Sequence, residues 1–223
     1  MKKWQPEGGF VFIVTYGRSG STLLQTVLQS IDGYFIRGEN NNALIPLFRS
    51  SKRLGEAKEK HGYREIPTFG PWFGADKFDE EAYASALCDV FVEHVLMPPE
   101  DARVIGFKEI RYPEVMGDEL FGLLDFMAKH FKPAKFIFNT RDWQDVSKSG
   151  WWADQKKERV QKQVENADRR FKDYAEKHPD TCYMIKYEDY TADLDQLQGL
   201  FDFLGESFDR AVLEETLSRK LKH

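Results

Sequence analysis

The chain has 223 residues and a formal net charge of −5, with 32 Lys and Arg against 37 Asp and Glu. This length suits one domain with a full hydrophobic core, and no linker-like segment divides it, so we expect a single domain over residues 1–223. The acidic balance gives no bulk electrostatic reason to expect nucleic acid or an anionic membrane as a partner. Any anion site must therefore be local.

Cysteine usage and hydropathy indicate the compartment. The two cysteines are too few for a disulfide framework and lack metal-ligand spacing, which fits a reducing environment. The weakly basic residues 1–7 precede a strand-length apolar run without a small-residue cleavage site, so we predict no signal peptide. No run approaches the roughly 18 apolar residues of a membrane span. We therefore expect a cytoplasmic protein without a transmembrane segment.

The first predicted elements are a strand, a glycine-rich turn and a helix. Residues 10–14 form an unbroken apolar run, and helical spacing begins at residues 24–28. Between them lie Gly17, Arg18, Ser19, Gly20, Ser21 and Thr22. Such a turn directs backbone N–H groups at one point near the positive end of the helix, which favours a phosphate or sulfate.

This turn differs from the ATP-binding P-loop. That loop has a Lys directly before its last Ser or Thr, and aligning Thr22 with that hydroxyl puts Ser21 in the Lys position. The cation is instead Arg18, earlier in the turn. The turn therefore suits an anion other than metal-bound ATP, and we predict no metal.

Later in the chain, strand-like and helix-like segments alternate. Three short apolar runs predict buried strands, two stretches with apolar residues at three-to-four spacing predict helices, and a long, highly charged helical pattern predicts a third helix. The strands are residues 104–107, 135–138 and 182–185, and the helices are residues 82–95, 120–131 and 153–177. Alternation of this kind predicts an α/β fold with a central parallel sheet flanked by helices.

Each predicted strand is followed by a cation. Parallel strands place these loops along one edge of the sheet, where ligands bind, although any one strand-end cation alone is more often simply solvated. The four cations are Arg18, Lys108, Arg141 and Lys186. Together they predict a polyanionic small molecule as ligand. Residues 50–80 mix glycine, proline and aromatic residues, which fits either a lid or a surface loop whose aromatics pack into the core.

At this point the sequence resembles a known family, the sulfotransferases that use 3'-phosphoadenosine 5'-phosphosulfate (PAPS). Residues 17–24 look like the family's 5'-phosphosulfate loop, and residues 141–149 look like its 3'-phosphate site, an Arg and a Ser eight residues apart. A strand-end Arg141 supplies a bidentate fork for a phosphate dianion, and Ser149, about two helical turns along, supplies a directional donor. The alternative for Arg141 is an ion pair with Asp142 or Asp145.

The resemblance also implies a catalytic base and two further ligand contacts. Glu39, after a short second strand, resembles the base of tyrosylprotein and some bacterial and carbohydrate sulfotransferases, where burial would raise the pKa of the carboxyl. Its alternative is a cap of a helix from residue 43 to residue 54. Lys108 is where related enzymes neutralise the departing oxygen. Tyr187 resembles a tyrosine near the adenine, or else a core aromatic.

Glu109 and Arg111 are candidates for facing the acceptor, with a surface salt bridge as the alternative. The resemblance implies transfer of a sulfuryl group from PAPS to a hydroxyl or amine, with a carbohydrate as the first expectation for the acceptor. Two alternatives remain open: a non-catalytic protein that binds PAPS or the 3',5'-bisphosphate, and a P-loop nucleotide kinase. The oligomeric state is not readable from the sequence.

Overall fold

A five-stranded parallel sheet forms the centre of the molecule, in the strand order β2-β3-β1-β4-β5. The structure is a computed structural model that describes residues 4–220, so part of the segment 1–7 discussed above lies outside it. The strands are β1 Phe10–Val14, β2 Tyr34–Arg37, β3 Val104–Glu109, β4 Ala134–Thr140 and β5 Cys182–Lys186. The predicted α/β fold with a parallel sheet is confirmed.

The strand register brings the predicted strand ends together. Every residue of β1 is buried, as expected for a central strand covered on both faces. Ile13 aligns with Lys108 on one side and with Ile137 on the other. Because β3 continues to Glu109, Lys108 lies within the strand and not in the loop after it. The carboxyl ends of β1, β3 and β4 therefore form one edge.

Helices cover both faces of this sheet. One apolar core lies under α2, α3, α4 and α6, and the other lies under α1, α7, α8 and α9. The helices are α1 Ser21–Gln29, α2 Leu44–His61, α3 Glu80–Phe91, α4 Glu119–His130, α5 Trp143–Val146, α6 Lys157–Lys177, α7 Tyr187–Ala192, α8 Gln198–Leu204 and α9 Arg210–Lys220. Within residues 4–220, none of them is both long and apolar enough to cross a membrane.

The helix predicted over residues 153–177 begins later than expected. Before α6 the chain forms a 3-10 helix, Gly150–Trp152, which Gly150 enters with φ 55°. That left-handed conformation suits glycine and is incompatible with a continuous helix. A break in the helical path therefore separates Ser149 from α6.

The aromatic segment after α2 lies away from the edge described above. Since α2 follows β2 and has 18 residues, about 27 Å at 1.5 Å per residue, it carries the chain towards the other end of the sheet. Tyr63, Phe69 and Phe73 are exposed, while Trp72 stacks on His61 with ring centroids 3.9 Å apart. These aromatics therefore do not pack into the core.

Candidate active site

The glycine-rich turn joins β1 to α1 with two residues in the left-handed region. Arg18 has φ 67° and Gly20 has φ 80°. Helix α1 then begins at Ser21 with no side-chain cap and no acidic residue in its first turn. The positive end of this helix is therefore not satisfied by a side chain, which is the arrangement of a helix N-terminus that binds an anion.

A buried hydrogen-bond network connects this turn to β4. Ser19 is fully buried, and its hydroxyl lies 2.7 Å from that of Thr15. The amide of Asn139 donates to the carbonyl of Ser19 at 2.9 Å, and the hydroxyl of Tyr190 donates to the Asn139 carbonyl oxygen at 3.1 Å. These contacts fix the position of the turn relative to the end of β4.

The two halves of the predicted ligand site meet in the structure. Nε of Arg18 donates to the hydroxyl of Ser149 at 2.7 Å, and Nη1 of Arg141 donates to the Arg18 carbonyl at 2.9 Å. The spacing had predicted that Ser149 lies on a helix, but α5 already ends at Val146. It reaches Arg18 from the turn that follows.

Arg141 has a free donor and an aromatic neighbour. Its Nε is buried and has no hydrogen-bond partner among the described residues. The guanidinium carbon lies 4.3 Å from the centroid of the Tyr187 ring, and Glu188 Oε1 lies 3.9 Å from Nε. An oxygen atom of a bound phosphate would satisfy this donor.

The predicted alternative for Arg141, an ion pair with a nearby aspartate, is not what these residues form. Asp142 accepts a hydrogen bond from the Gln144 amide at the start of α5, at 2.8 Å. Asp145 pairs instead with Lys148 at 2.9 Å. The neighbouring acids are therefore occupied by other groups.

Aromatic rings cover both glycines of the turn. A Cβ atom on Gly20 would lie 2.1 Å from the Tyr187 ring, and one on Gly17 would lie 2.2 Å from the ring of Trp151. Real Cβ atoms do not approach other atoms so closely, so a side chain at either position would displace the ring, and the φ of 80° at Gly20 also favours glycine. Trp152 donates from its indole to the Gly17 carbonyl at 3.1 Å. The sequence reasoning missed these two tryptophans, although they directly follow the Ser149-Gly150 pair.

Glu39 and Lys108 form an ion pair at this edge, with Oε1 and Nζ 2.5 Å apart. The Lys108 side chain is 5% exposed, whereas that of Glu39 is 42% exposed, so the expected burial of Glu39 is not found. Glu39 does not cap α2 either, since the side chain of Asn40 accepts from the Ala43 amide at 3.0 Å. Charge attraction to a nearly buried ammonium therefore orients the Glu39 carboxylate.

Glu109 has a structural role that the sequence did not indicate. Its buried carboxylate accepts from the backbone amides of Asn40 and Asn42 at 3.1 and 2.9 Å, and from those of Ile110 and Arg111 at 2.8 and 3.1 Å. It therefore ties the Glu39 loop to the end of β3.

Arg111 forms the surface salt bridge that was the alternative for this position. Its Nη1 lies 3.0 Å from Glu114 Oε1, and both side chains are largely exposed. Such pairs contribute little to stability. Nothing in these contacts directs Arg111 towards the reacting groups.

Tyr16 links the turn to Arg141. Its hydroxyl donates to the Arg141 carbonyl at 2.9 Å and accepts from the Arg141 amide at 2.8 Å. Burial raises the pKa of Tyr16 well above its ordinary value, and the neighbouring Asp168 adds to this. Burial also raises the pKa of Asp168, to about 6. Tyr16 therefore acts as a neutral hydrogen-bonding group.

A cleft of about 770 Å³ opens beside the turn. It lies between the segment after β3 and α6, which lines it from Arg159 to Asp173, and Tyr16, Ile110, Trp151 and Trp152 form the part nearest the turn. No residue from 50–80 lines it, so the lid predicted for that segment is not found at this cleft. Among residues 4–220, no group of three or more His, Cys, Asp or Glu is arranged to hold a metal ion.

The strand, glycine turn and uncapped helix on a parallel sheet define the P-loop-like class of α/β proteins. The model of the sulfotransferase family matches residues 11–210. The chain therefore belongs to the sulfotransferase family and is a PAPS-dependent sulfotransferase, an enzyme that transfers a sulfuryl group. No curated protein sequence matches it significantly.

A solved structure shows the same fold at low sequence identity, and others align more weakly. The sulfotransferase domain from the curacin biosynthetic pathway aligns with a TM-score of 0.53 at 20% identity, over 92% of this chain and 76% of that one. A sulfotransferase from Alicyclobacillus acidocaldarius aligns with a TM-score of 0.48 at 16% identity, over 95% and 90%. A thymidylate kinase from Candida albicans has a TM-score of 0.46 at 14% identity, over 90% and 95%.

Proposed function

We propose that this enzyme transfers the sulfuryl group of PAPS to a hydroxyl of an acceptor, with Glu39 as the general base. The observation that carries the proposal is the contact between Glu39 and Lys108, 2.5 Å apart at the sheet edge that also holds the glycine turn. A base for the attacking hydroxyl and a cation for the departing oxygen are the two groups that this displacement needs.

The reaction is an in-line displacement at sulfur. The acceptor oxygen forms a bond to sulfur while the bond from sulfur to the bridging phosphate oxygen breaks, and that oxygen keeps the electron pair. The proton of the acceptor hydroxyl passes to Glu39, and Lys108 neutralises the charge on the leaving 3',5'-bisphosphate. Glu39 is sufficiently exposed to reach an incoming hydroxyl, while the ammonium beside it is held within β3.

The donor's two ends correspond to two groups of residues. Gly17, Arg18, Ser19, Gly20, Ser21 and Thr22 would bind the 5'-phosphosulfate through backbone amides and the Arg18 side chain. Arg141 and Ser149 would bind the 3'-phosphate, and the unpartnered Nε of Arg141 supports this assignment. Tyr187, which lies over Gly20 and Arg141, would contact the adenine. Arg18 bridges the two groups through Ser149.

The acceptor would occupy the cleft next to Ile110 and Trp151. A tryptophan beside polar side chains suits the apolar face and the hydroxyls of a sugar ring, so we propose a carbohydrate or a similarly polar small molecule as the acceptor. This part of the proposal is independent of the identity of the base.

The test is to incubate the purified enzyme and radiolabelled PAPS with a panel of glycans, phenols and amines. Glu39→Gln should lower kcat by about 10² or more, the range for losing a general base, with unchanged binding of adenosine 3',5'-bisphosphate. Glu59→Gln, on the exposed surface of α2, is the matched control and should behave as wild type. Wild-type kcat in Glu39→Gln would show that another group is the base.

A further inference from the structure

The charges that line the cleft are unevenly paired. Arg170 donates to the carbonyls of Val115 and Gly117, both at 2.8 Å, and Arg169 lies 3.6 Å from Asp173. Of the carboxylates that line the cleft, Glu114 pairs with Arg111, Asp173 is the partner of Arg169, and Asp118 lies close enough to Arg170 to act on its charge. These cations are therefore committed to the protein itself.

Two other cations of the cleft have no such partner. Arg159 and Lys162 line it from the first two turns of α6, and neither makes an ion pair with any described residue. Residues three apart on a helix are neighbours, so their positive charges act on the same region of the cleft. Lys162 lies at the rim, where Glu158 and Glu165 of the outer α6 surface are also near. The unpaired positive charge favours an anionic group in the ligand.

The rest of the cleft supplies an apolar face and hydrogen-bonding groups. Trp151 is 52% exposed and lies at the end of the cleft that adjoins Gly17. Gln155 lines the cleft, and its buried Oε1 has no hydrogen-bond partner among the described residues. The amides of Gln163 and Asn166 also line it. Several side-chain amides around one aromatic face suit a ligand with many hydroxyls better than a phenol.

We propose that the acceptor is an acidic saccharide. It carries a carboxylate or a sulfate close to the hydroxyl that is modified. Its anionic group pairs with Arg159 and Lys162, one of its hydroxyls donates to Gln155, and its ring lies against Trp151. This assignment rests on the proposed function, because it takes the cleft to be the acceptor site.

The experiment compares acceptors that differ only in charge. An oligosaccharide of glucuronic acid and N-acetylglucosamine is assayed with radiolabelled PAPS beside its carboxyl-reduced neutral form and 2-naphthol. The wild type should prefer the acidic form by about tenfold or more in kcat/KM, the effect of one charge-assisted contact. The double variant Arg159→Ala/Lys162→Ala should lose this preference, so that its kcat/KM values for the two saccharides become equal. Lys172→Ala, on the exposed side of α6, is the control and should retain the preference.

Each other outcome overturns the inference in a distinguishable way. Equal use of the two saccharides, labelling of 2-naphthol alone, or a preference that survives in the double variant would refute the acidic acceptor and leave sulfuryl transfer intact. If adenosine 3',5'-bisphosphate does not raise the melting temperature and no acceptor is labelled, the proposed function fails as well. As a control, adenosine 3',5'-bisphosphate should raise the melting temperature equally in wild type and double variant, which shows that the donor site is unaffected.

Discussion

Glu109 provides the most demanding test of how the fold positions the proposed base. Its carboxylate is 1% exposed, and each oxygen accepts two backbone amides, one pair from the Glu39 loop and one from the residues after β3. Glu109→Gln keeps the volume but replaces one oxygen with an NH2 group. That group would face two N–H donors, in whichever orientation the amide adopts.

The magnitude follows from these four bonds. Hydrogen bonds to a charged group are worth about 1.5–3 kcal/mol each, so the loss of two costs about 3–6 kcal/mol before relaxation. Since Glu39 directly precedes Asn40, the loop would move the base, and a shift of about 1 Å at a reacting group can lower the rate about 10²-fold. We therefore expect a less stable enzyme with a lower kcat.

The assay combines chemical unfolding with steady-state kinetics and calorimetric binding of adenosine 3',5'-bisphosphate. Glu109→Gln should unfold at lower denaturant concentration and lose kcat, while bisphosphate affinity changes little. Glu65→Gln, an exposed residue after α2, is the control and should match wild type. A Glu109→Gln enzyme with wild-type stability and kcat would refute the role of this carboxylate in holding the loop.

Three further predictions concern the other side of the site. Tyr16→Phe should lower stability by about 1–3 kcal/mol and weaken bisphosphate binding in calorimetry, because the hydroxyl bridges the Arg141 amide and carbonyl. Gly20→Ala should cost about 1–3 kcal/mol, since φ is 80° and the new Cβ meets the Tyr187 ring; an unchanged melting temperature would contradict this. Burial raises the Asp168 pKa from 3.8 to about 6, so the folded enzyme loses stability as pH rises through that window and the buried carboxyl ionises. Above about pH 6, Asp168→Asn should therefore melt at a higher temperature than wild type, with a free energy of unfolding up to about 3 kcal/mol higher. Below about pH 4 the two proteins should have similar stability.

The strands were predictable because their signal is local. The apolar run over residues 10–14 coincides with β1, and the run at 104–107 lies within β3. Buried parallel strands exclude water on both faces, so they need such runs whatever lies around them. Helix ends were less predictable, as the late start of α6 at Lys157 shows, because residues 153–156 form a turn and Lys156 is extended with ψ 131°.

The candidate site was also predictable only in part from the sequence. Lys108 and Arg141 could be proposed from their positions at predicted strand ends, since a parallel sheet brings such ends together, and Glu39 from the family resemblance. The role of Glu109 could not, because its partners include amides about 70 residues away in sequence, at the Glu39 loop. Hydrogen bonds of this kind leave no periodic pattern in a sequence.

The sequence alone determined the fold class, the glycine-rich turn between β1 and α1 and the family of this protein, since these depend on local patterns and on the spacing within two motifs. Only the tertiary structure decided that Glu39 pairs with Lys108, that Arg18 reaches Ser149 and that Trp151 adjoins the cleft. The physical reason is that side chains far apart in the chain interact only after the strands align. Their contacts therefore depend on the register of the sheet and on where each loop turns.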